Sequence, residues 1–344
     1  MKVLITGGTG FLGRTLARRL LERGVLTGPS GRSEVIDSLV LLDAAAPPAR
    51  PAGLDQRAEV VTGDVSDGEL VRSLVDRDDV SVFHLASMVS AGCELDFDGA
   101  LTVNLDGGRS VLEACRARGS RPRLVFTSSI AAFGGPVAAD LASDTTKLLP
   151  ETTYGTTKAI CELLVNDYSR RGFLDGRSAR LPTVVIRPGR PNAAASSWVS
   201  GLFREPLNGE ECVVPVDAGT RVPISGYRTV VENLIRLHEV DRDMLGSDRG
   251  LNLPALDLTA QDMIDALRRS ADRELGPIHL RPDPAIVAMY RGWAPRSSFE
   301  RATALGLVGD DGIETIIRAY IEDFLEPGAQ GVVHPPARSF WDRS

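Results

Sequence analysis

The 344-residue sequence is poor in the residues that bind metals or form disulfide bonds. Its four cysteines, Cys93, Cys115, Cys161 and Cys212, are widely spaced and contain no CxxC pair. We therefore expect buried free thiols in a reducing cytoplasm, with neither disulfides nor a zinc site. The four histidines are equally scattered, so no metal centre is predicted.

Long apolar runs are also missing. No stretch approaches the roughly 20 residues that span a bilayer. The first residues, MKVLITGG, lack the apolar run and the cleavage site of a signal peptide. A net charge of −7 and a pI near 5.3 disfavour a nucleic-acid-binding surface. We expect neither a membrane nor a nucleic acid as partner, whereas a local cationic pocket for a small anion stays compatible with this charge.

Short apolar segments alternate with helical patterns through the first half of the chain. The predicted strands are 2–6, 38–43, 59–64, 80–86, 123–129 and 183–189. The predicted helices include 11–24, 67–76, 98–118, 152–171, 229–240, 259–275 and 312–325. Apolar runs separated by helices are typical of an α/β protein with a doubly wound parallel sheet, the Rossmann fold.

The alternation stops after residue 188, where Pro, Ala, Ser and Gly become frequent. We predict a dinucleotide-binding Rossmann domain over 1–188, to which 215–250 partly returns. A smaller, discontinuous C-terminal substrate lobe would comprise 189–214 and 251–328, followed by a Pro-rich tail, 329–344.

The segment TGGTGFLG lies between the first predicted strand and the first predicted helix. Glycines at this spacing allow a tight turn, close approach to a pyrophosphate and close packing of the helix on the sheet. The amino terminus of the helix then offers free N–H groups to the phosphates. A purely structural turn is the alternative. The predicted cofactor contacts here are Gly7, Gly10, Phe11, Leu12 and Gly13.

Asp43 closes the second long strand, where a carboxylate accepts hydrogen bonds from the adenosine ribose and favours NAD over NADP. It lies 43 − 7 = 36 positions after the first glycine rather than roughly 20, because segment 25–37 reads as an insertion. Arg32 in that insertion is an alternative ligand for a 2′-phosphate. Asp64 and Val65, after the next strand, are candidates for contacting adenine.

Ser128 and Ser129 end a predicted strand, and Tyr154 and Lys158 are spaced i,i+4 on a predicted helix. Such spacing puts the tyrosine and the lysine on one helical face. A nearby ammonium lowers the pKa of a phenol, which would turn Tyr154 into a base. An ordinary amphipathic surface helix and a pair of serines that satisfy backbone groups are the alternatives.

Together, TGGTGFLG, RLVFTSS and YGTTK resemble the extended short-chain dehydrogenase/reductase family, and the resemblance runs from residue 1 to about residue 325. It implies that Tyr154 is the general base, that Lys158 binds the nicotinamide ribose and lowers the tyrosine's pKa, and that Ser129 orients the reacting oxygen. Asn104 would support Lys158, commonly through water. Further cofactor contacts implied by the resemblance are Leu85, Ala86 and Ser87 in HLAS, and Pro188. Related proteins form homodimers through the helices near 98–118 and 152–171.

Three longer segments, HLASMVSAGCELDFDGALTVNLDG, YGTTKAICELLVNDYSRRGFLDG and LPTVVIRPGRPNAAASSWVSGLFREPLNG, resemble a branch that oxidises the C2 hydroxyl of a four-carbon sugar acid with NAD. Arg190 stands where that branch usually has lysine, and an arginine can hold a carboxylate in a bidentate fork. For Arg187 we expect pairing with a carboxylate of the fold. The candidate substrate-binding residues are Ser90, Ser129, Tyr154, Arg190, Asn192, Ser196 and Arg221.

Three other functions use or resemble the same core. A nucleotide-sugar 4-epimerase would hold its NAD tightly through the cycle, although NAAAS offers little surface for stacking a uracil. A dehydratase is disfavoured because IAAFGG, after Ser129, has no acidic residue. A non-catalytic dinucleotide-sensing regulator is disfavoured because such relatives generally lose the tyrosine or the lysine.

Overall fold

The computed structural model describes residues 1–47, 49–136, 140–190 and 196–326. The strands in this part of the chain are β1 Lys2–Thr6, β2 Val25–Thr27, β3 Ser33–Val35, β4 Ser38–Asp43, β5 Ala58–Thr62, β6 Val80–His84, β7 Arg123–Ser129, β8 Asp175–Leu181, β9 Thr183–Val185, β10 Cys212–Val214, β11 Arg221–Gly226, β12 Gly250–Asn252, β13 Leu256–Thr259 and β14 Ile278–Leu280.

The α-helices are α1 Phe11–Arg23, α2 Gly68–Leu74, α3 Ser90–Leu95, α4 Phe97–Ala100, α5 Gly107–Arg118, α6 Thr153–Arg170, α7 Ser197–Leu207, α8 Tyr227–Glu239, α9 Arg242–Leu245, α10 Ala260–Ser270, α11 Pro284–Arg291, α12 Glu300–Ala304 and α13 Ile313–Phe324. A π-helix, Leu101–Asp106, joins α4 to α5, and a 3₁₀ turn, Ile130–Ala132, follows β7. Across the described ranges, no helix has the length and apolar character needed to cross a bilayer.

Seven parallel strands form the main sheet in the order β12-β8-β7-β6-β1-β4-β5. Helices α1 and α8 pack on one face, and α2, α5 and α6 pack on the other. The predicted doubly wound α/β fold is therefore confirmed. The strand order reverses between β1 and β6, and the crevice beyond the carboxyl ends of these strands is where such sheets bind ligands.

Strand β8 is absent from the sequence-based prediction, because its segment, DGRSARL, looks like a polar loop. All of its residues except the last are buried. Its charges are compensated inside the protein. Arg177 lies 2.9 Å from Asp175, and Arg180 lies 2.8 Å from the equally buried Glu162. Buried charges persist when they are paired in this way, so apolar periodicity alone does not find such a strand.

The prediction that 183–189 forms a strand of the main sheet is wrong. Only β9 is extended in this segment, and it pairs with β11 in a separate three-stranded sheet, β13-β11-β9. Val185 and Ile186 are buried in a second apolar core with residues of α7, α10 and α13. The exact domain boundaries stay a prediction.

Helix α10 begins as predicted from the spacing of Thr259 and Asp262. The Thr259 hydroxyl accepts from the Asp262 N–H at 3.0 Å, and the Asp262 carboxylate accepts from the Thr259 N–H at 2.9 Å. These reciprocal bonds form a capping box, which satisfies two N–H groups at the helix start.

Candidate active site

The glycine loop turns tightly between β1 and α1. Gly7 has a φ of 67°, a left-handed conformation that favours glycine. A Cβ on Gly13 would come within 2.3 Å of the Gly7 carbonyl oxygen, whereas a Cβ on Gly10 would meet only that oxygen, at 3.2 Å. Gly13 is therefore required for packing, and Gly10 leaves space above the loop. No side chain caps the start of α1 at Gly10, so its N–H groups are available to a phosphate.

Asp43 lies beside this loop. Its Oδ2 accepts a hydrogen bond of 3.0 Å from the Thr9 N–H, which fixes a carboxylate between β4 and the glycine turn. The inserted segment forms a hairpin of β2 and β3 whose Val35 carbonyl lies 2.6 Å from the amino group of Met1. The base of the hairpin therefore lies by the amino-terminal end of β1, whereas Asp43 lies at the carboxyl end of the neighbouring strand β4. The alternative that Arg32 binds a 2′-phosphate stays a prediction. The loop and Asp43 fit the ribose and pyrophosphate of NAD.

The other predicted cofactor contacts line the same edge of the sheet. The Leu85 N–H donates to the Thr6 carbonyl oxygen at 3.0 Å, and the Ala86 N–H donates to the Thr6 hydroxyl at 3.2 Å. Val65 is buried, and the exposed Asp64 accepts from the Ser66 N–H at 2.8 Å. Phe11, Leu12 and Ser87 also lie at this edge and are partly buried. Pro188, which follows β9 of the other sheet, is partly buried as well, and its contact with the cofactor stays a prediction.

The strand-end serine, the tyrosine and the lysine meet where β7 faces the start of α6. Lys158 is buried, and its Nζ donates a hydrogen bond of 2.8 Å to the Thr127 carbonyl oxygen. The same Nζ lies 5.5 Å from the centre of the Tyr154 ring. Ser129 is close enough to the Tyr154 phenol to lower its pKa by hydrogen bonding. The structure therefore brings Ser129, Tyr154 and Lys158 together, and their catalytic roles stay a prediction.

The electrostatics differ from the expectation in one respect. Burial raises the pKa of Tyr154 to about 12, and the hydrogen bond from Ser129 offsets only part of that effect. Burial also lowers the pKa of Lys158 to about 8, against the attraction of Cys161, Cys93 and Glu162. The expected lowering of the tyrosine's pKa by the lysine is not found in the protein alone.

Asn104 lies in the π-helix, a form often found at functional sites. Its Oδ1 accepts from the Met88 N–H at 2.7 Å and from the Ser87 hydroxyl at 3.1 Å. Its Nδ2 lies 3.3 Å from the Thr157 hydroxyl, one residue before Lys158. Asn104 thus links the HLAS segment to α6. A role through water on Lys158 stays a prediction.

The candidate substrate residues lie on several separate elements, unlike Ser129, Tyr154 and Lys158. Arg190 is exposed, Ser90 and Ser196 are half-buried at the starts of α3 and α7, and Asn192 lies outside the described residues. The exposed Arg221 begins β11, and its Nη1 donates to the Asp257 carbonyl oxygen at 3.2 Å. Their contacts with substrate stay predictions.

The surroundings of Arg187 differ from the sequence-based prediction. In the described ranges no carboxylate lies within 4.0 Å of it, so the expected pairing with a carboxylate of the fold is wrong. Its Nη1 is buried without a hydrogen-bond partner. Arg187 lies two residues after β9 and directly before Pro188 and Gly189, a place where the sequence alone could have suggested a ligand contact.

Comparisons with known proteins agree with this geometry. Residues 3–223 match the NAD dependent epimerase/dehydratase family. The chain is 46% identical over 325 residues to D-erythronate dehydrogenase of Cupriavidus necator, covering 94% of this chain and 98% of that protein. It is 38% identical over 323 residues to D-erythronate dehydrogenase of Haemophilus influenzae, covering 94% and 99%.

A solved structure, the nucleoside-diphosphate-sugar epimerase of Agrobacterium tumefaciens, superposes with a TM-score of 0.86 at 41% identity, covering 96% of this chain and 95% of that one. The family match covers more than half of the chain, and the glycine loop and Asp43 fit the dinucleotide. The chain therefore belongs to the NAD-dependent epimerase/dehydratase family, the extended short-chain dehydrogenases/reductases, and is an NAD-dependent oxidoreductase.

Proposed function

We propose that this protein oxidises the C2 hydroxyl of D-erythronate, or of a closely similar four-carbon sugar acid, to the 2-oxo acid with NAD. The observation that carries the proposal is the end-to-end similarity to two proteins named D-erythronate dehydrogenase. That similarity spans 94% of the chain, so it includes the substrate-facing segments as well as the cofactor core.

In this proposal Tyr154 is the general base and Ser129 holds the reacting oxygen. Tyr154 would take the hydroxyl proton, and bound NAD would accept the hydride from C2 of the acid, which would leave the 2-oxo acid and NADH. NAD supplies the hydride acceptor and a positive charge beside the phenol. Lys158 contributes a second positive charge and binds the nicotinamide ribose. A lower pKa of Tyr154 in the complex follows from both charges.

Arg190 is our candidate for the substrate carboxylate, with Asn192 and Ser196 near it in sequence for the hydroxyls. Arg190→Met is expected to raise KM for the acid about tenfold or more, since a charge-assisted hydrogen bond is lost. The matched control is Arg32→Met, on the hairpin at the far end of β1. Equal KM values in the two variants would remove Arg190 from the substrate site.

A nucleotide-sugar 4-epimerase is the second candidate, favoured by the name of the Agrobacterium tumefaciens structure. An epimerase regenerates NAD within each cycle, whereas a dehydrogenase releases NADH. Incubation with UDP-glucose or UDP-galactose, followed by analysis of the sugar, separates the two. Epimer formation without net NADH would replace the proposal.

We also propose a homodimer built on α5 and α6. Helices α3 and α4 pack beside α6, and three large apolar side chains are exposed on this group of helices: Leu95 (81%), Phe97 (59%) and Leu163 (62%). Light scattering is expected to give twice the chain mass of 36.9 kDa, and Leu163→Asp to give one chain mass. A monomeric wild-type protein would contradict this.

We also propose a cytoplasmic location. The four cysteines are buried and free, which suits the reducing environment of the cytoplasm.

A further inference from the structure

Arg187 is a cation without a counterion in the described part of the chain. Its guanidinium is half-buried, and its buried Nη1 has no hydrogen-bond partner. Burial lowers its pKa, and the positive charges of Arg204 and Arg14 lower it further. A guanidinium that is desolvated among other cations destabilises a protein unless an anion joins it.

The neighbouring arginines are not equivalent. Arg204 is neutralised, because its Nη2 lies 2.5 Å from Glu205 and its Nη1 donates to the Arg187 carbonyl oxygen at 2.9 Å. Arg14 lies in the first turn of α1 with its side chain exposed, and partial desolvation and the nearby Arg18 lower its pKa. Among the residues that the structure describes, no carboxylate forms an ion pair with the partly buried Arg187 or with the exposed Arg14, so the two side chains together carry two uncompensated positive charges.

The backbone brings this charge to the glycine loop. Val185, two residues before Arg187, is in register with Gly226 of β11. The next residue, Tyr227, has its ring 5.1 Å from that of Phe11, the first residue of α1. Arg187, two residues after β9, thus lies near the start of α1, close enough to Arg14 for that charge to lower its pKa.

We propose that Arg187 binds the pyrophosphate of the dinucleotide from the side opposite the glycine loop. A pyrophosphate carries two negative charges, which match Arg187 and Arg14, and the planar fork of an arginine suits phosphate oxygens. The main chain of Arg187 is held by α7, since its N–H donates to the Ser200 hydroxyl at 3.1 Å.

The test measures binding of ADP-ribose by calorimetry with no sugar acid present, so its outcome is independent of the substrate proposed above. Arg187→Met is expected to weaken ADP-ribose binding about 10- to 100-fold, the factor for losing hydrogen bonds to a charged group, and to reduce the salt dependence of binding. Arg187→Lys keeps the charge and should lose less. The matched control, Arg19→Met on the outer side of α1, should bind ADP-ribose like the wild type.

A second measurement separates this role from a structural one. Without ligand, Arg187→Met should melt at the same temperature as the wild type or higher, because an unpaired buried cation is removed. Unchanged ADP-ribose binding in Arg187→Met would overturn the proposal. So would a lower melting temperature with unchanged binding, or a raised KM for the acid alone, which would assign Arg187 to the substrate carboxylate.

Discussion

Lys158 Nζ donates to the Thr127 carbonyl oxygen at 2.8 Å and so ties helix α6 to the end of strand β7. Ser129 lies two residues further along that strand, and Tyr154 lies one helical turn before Lys158. The lysine consequently holds the serine and the tyrosine in a fixed relation before any ligand binds. Such preorganisation avoids reorganising the site during the reaction.

Removing the Tyr154 hydroxyl should abolish most of the activity. Tyr154→Phe is expected to lower kcat by about 10²- to 10⁴-fold, the usual contribution of a general base, and to leave NADH binding nearly unchanged. Steady-state kinetics and an NADH titration check both points. Tyr168→Phe is the matched control, because Tyr168 lies on the same helix and bonds Glu113 instead. A similar kcat in the two variants would exclude Tyr154 as the base.

Replacing Gly13 by alanine should lower the stability of the fold, whereas replacing Gly10 should weaken cofactor binding. Gly13→Ala forces a Cβ to 2.3 Å from the Gly7 carbonyl oxygen, so the free energy of unfolding should fall by about 1–3 kcal/mol. Gly10→Ala meets only one atom, at 3.2 Å, and should fold normally but bind NADH about tenfold more weakly. Urea unfolding and NADH titration distinguish these effects. Normal NADH binding by Gly10→Ala would contradict our placement of the pyrophosphate.

Asp43 should decide the choice between NAD and NADP. Asp43→Asn can keep the bond to the Thr9 N–H but loses the charge, so NADH binding should weaken about 10- to 100-fold and the preference over NADPH should shrink. Asp78→Asn, at an exposed aspartate paired with Arg118, is the control. A wild-type protein that binds NADPH as well as NADH would refute the assignment.

Buried His84 should make the protein sensitive to mild acid. Its pKa is lowered to about 3, chiefly by burial and also by Lys158, while its Nδ1 lies 2.6 Å from the Thr6 hydroxyl. In the unfolded chain the His84 imidazole is protonated as the pH falls below about 6.5, whereas in the folded chain it stays neutral. Stability from this group is therefore complete above that pH and is lost as the pH falls towards 3.

At pH 6 the free energy of unfolding should rise by about 1 kcal/mol per pH unit for each such histidine. Burial also lowers the pKa of His238, so this histidine contributes to the slope with the same sign. Urea unfolding at pH 5.5 to 7 in wild type and His84→Asn measures the slope, and the variant should lose roughly half of it. Equal slopes in both proteins would show that His84 titrates normally.

Much of this fold is predictable because apolar periodicity and glycine spacing are local signals. Strands β1, β4 and β7 and the start of α10 follow from them. Strand β8 does not, since its buried arginines are stabilised by Asp175 and Glu162, and such pairing is not visible in a local pattern. Short β9 looks like a sheet strand but joins another sheet.

The candidate site divides in the same way. Ser129, Tyr154 and Lys158 were found from spacing, because the carboxyl end of β7 and the first turns of α6 are adjacent in this topology. The lack of an ion pair at Arg187 was not predicted, because it depends on which carboxylates the tertiary fold places near this side chain. The raised pKa of Tyr154 also depends on burial by residues distant in sequence.

The most direct test of the account is incubation of the purified protein with D-erythronate and NAD while the absorbance of reduced nicotinamide is followed. L-erythronate, longer sugar acids, NADP and UDP-sugars run in parallel, with Tyr154→Phe as the blank. We expect NADH formation with D-erythronate and NAD in the wild type and none in the blank. No NADH with any sugar acid, together with interconversion of UDP-glucose and UDP-galactose, would contradict it.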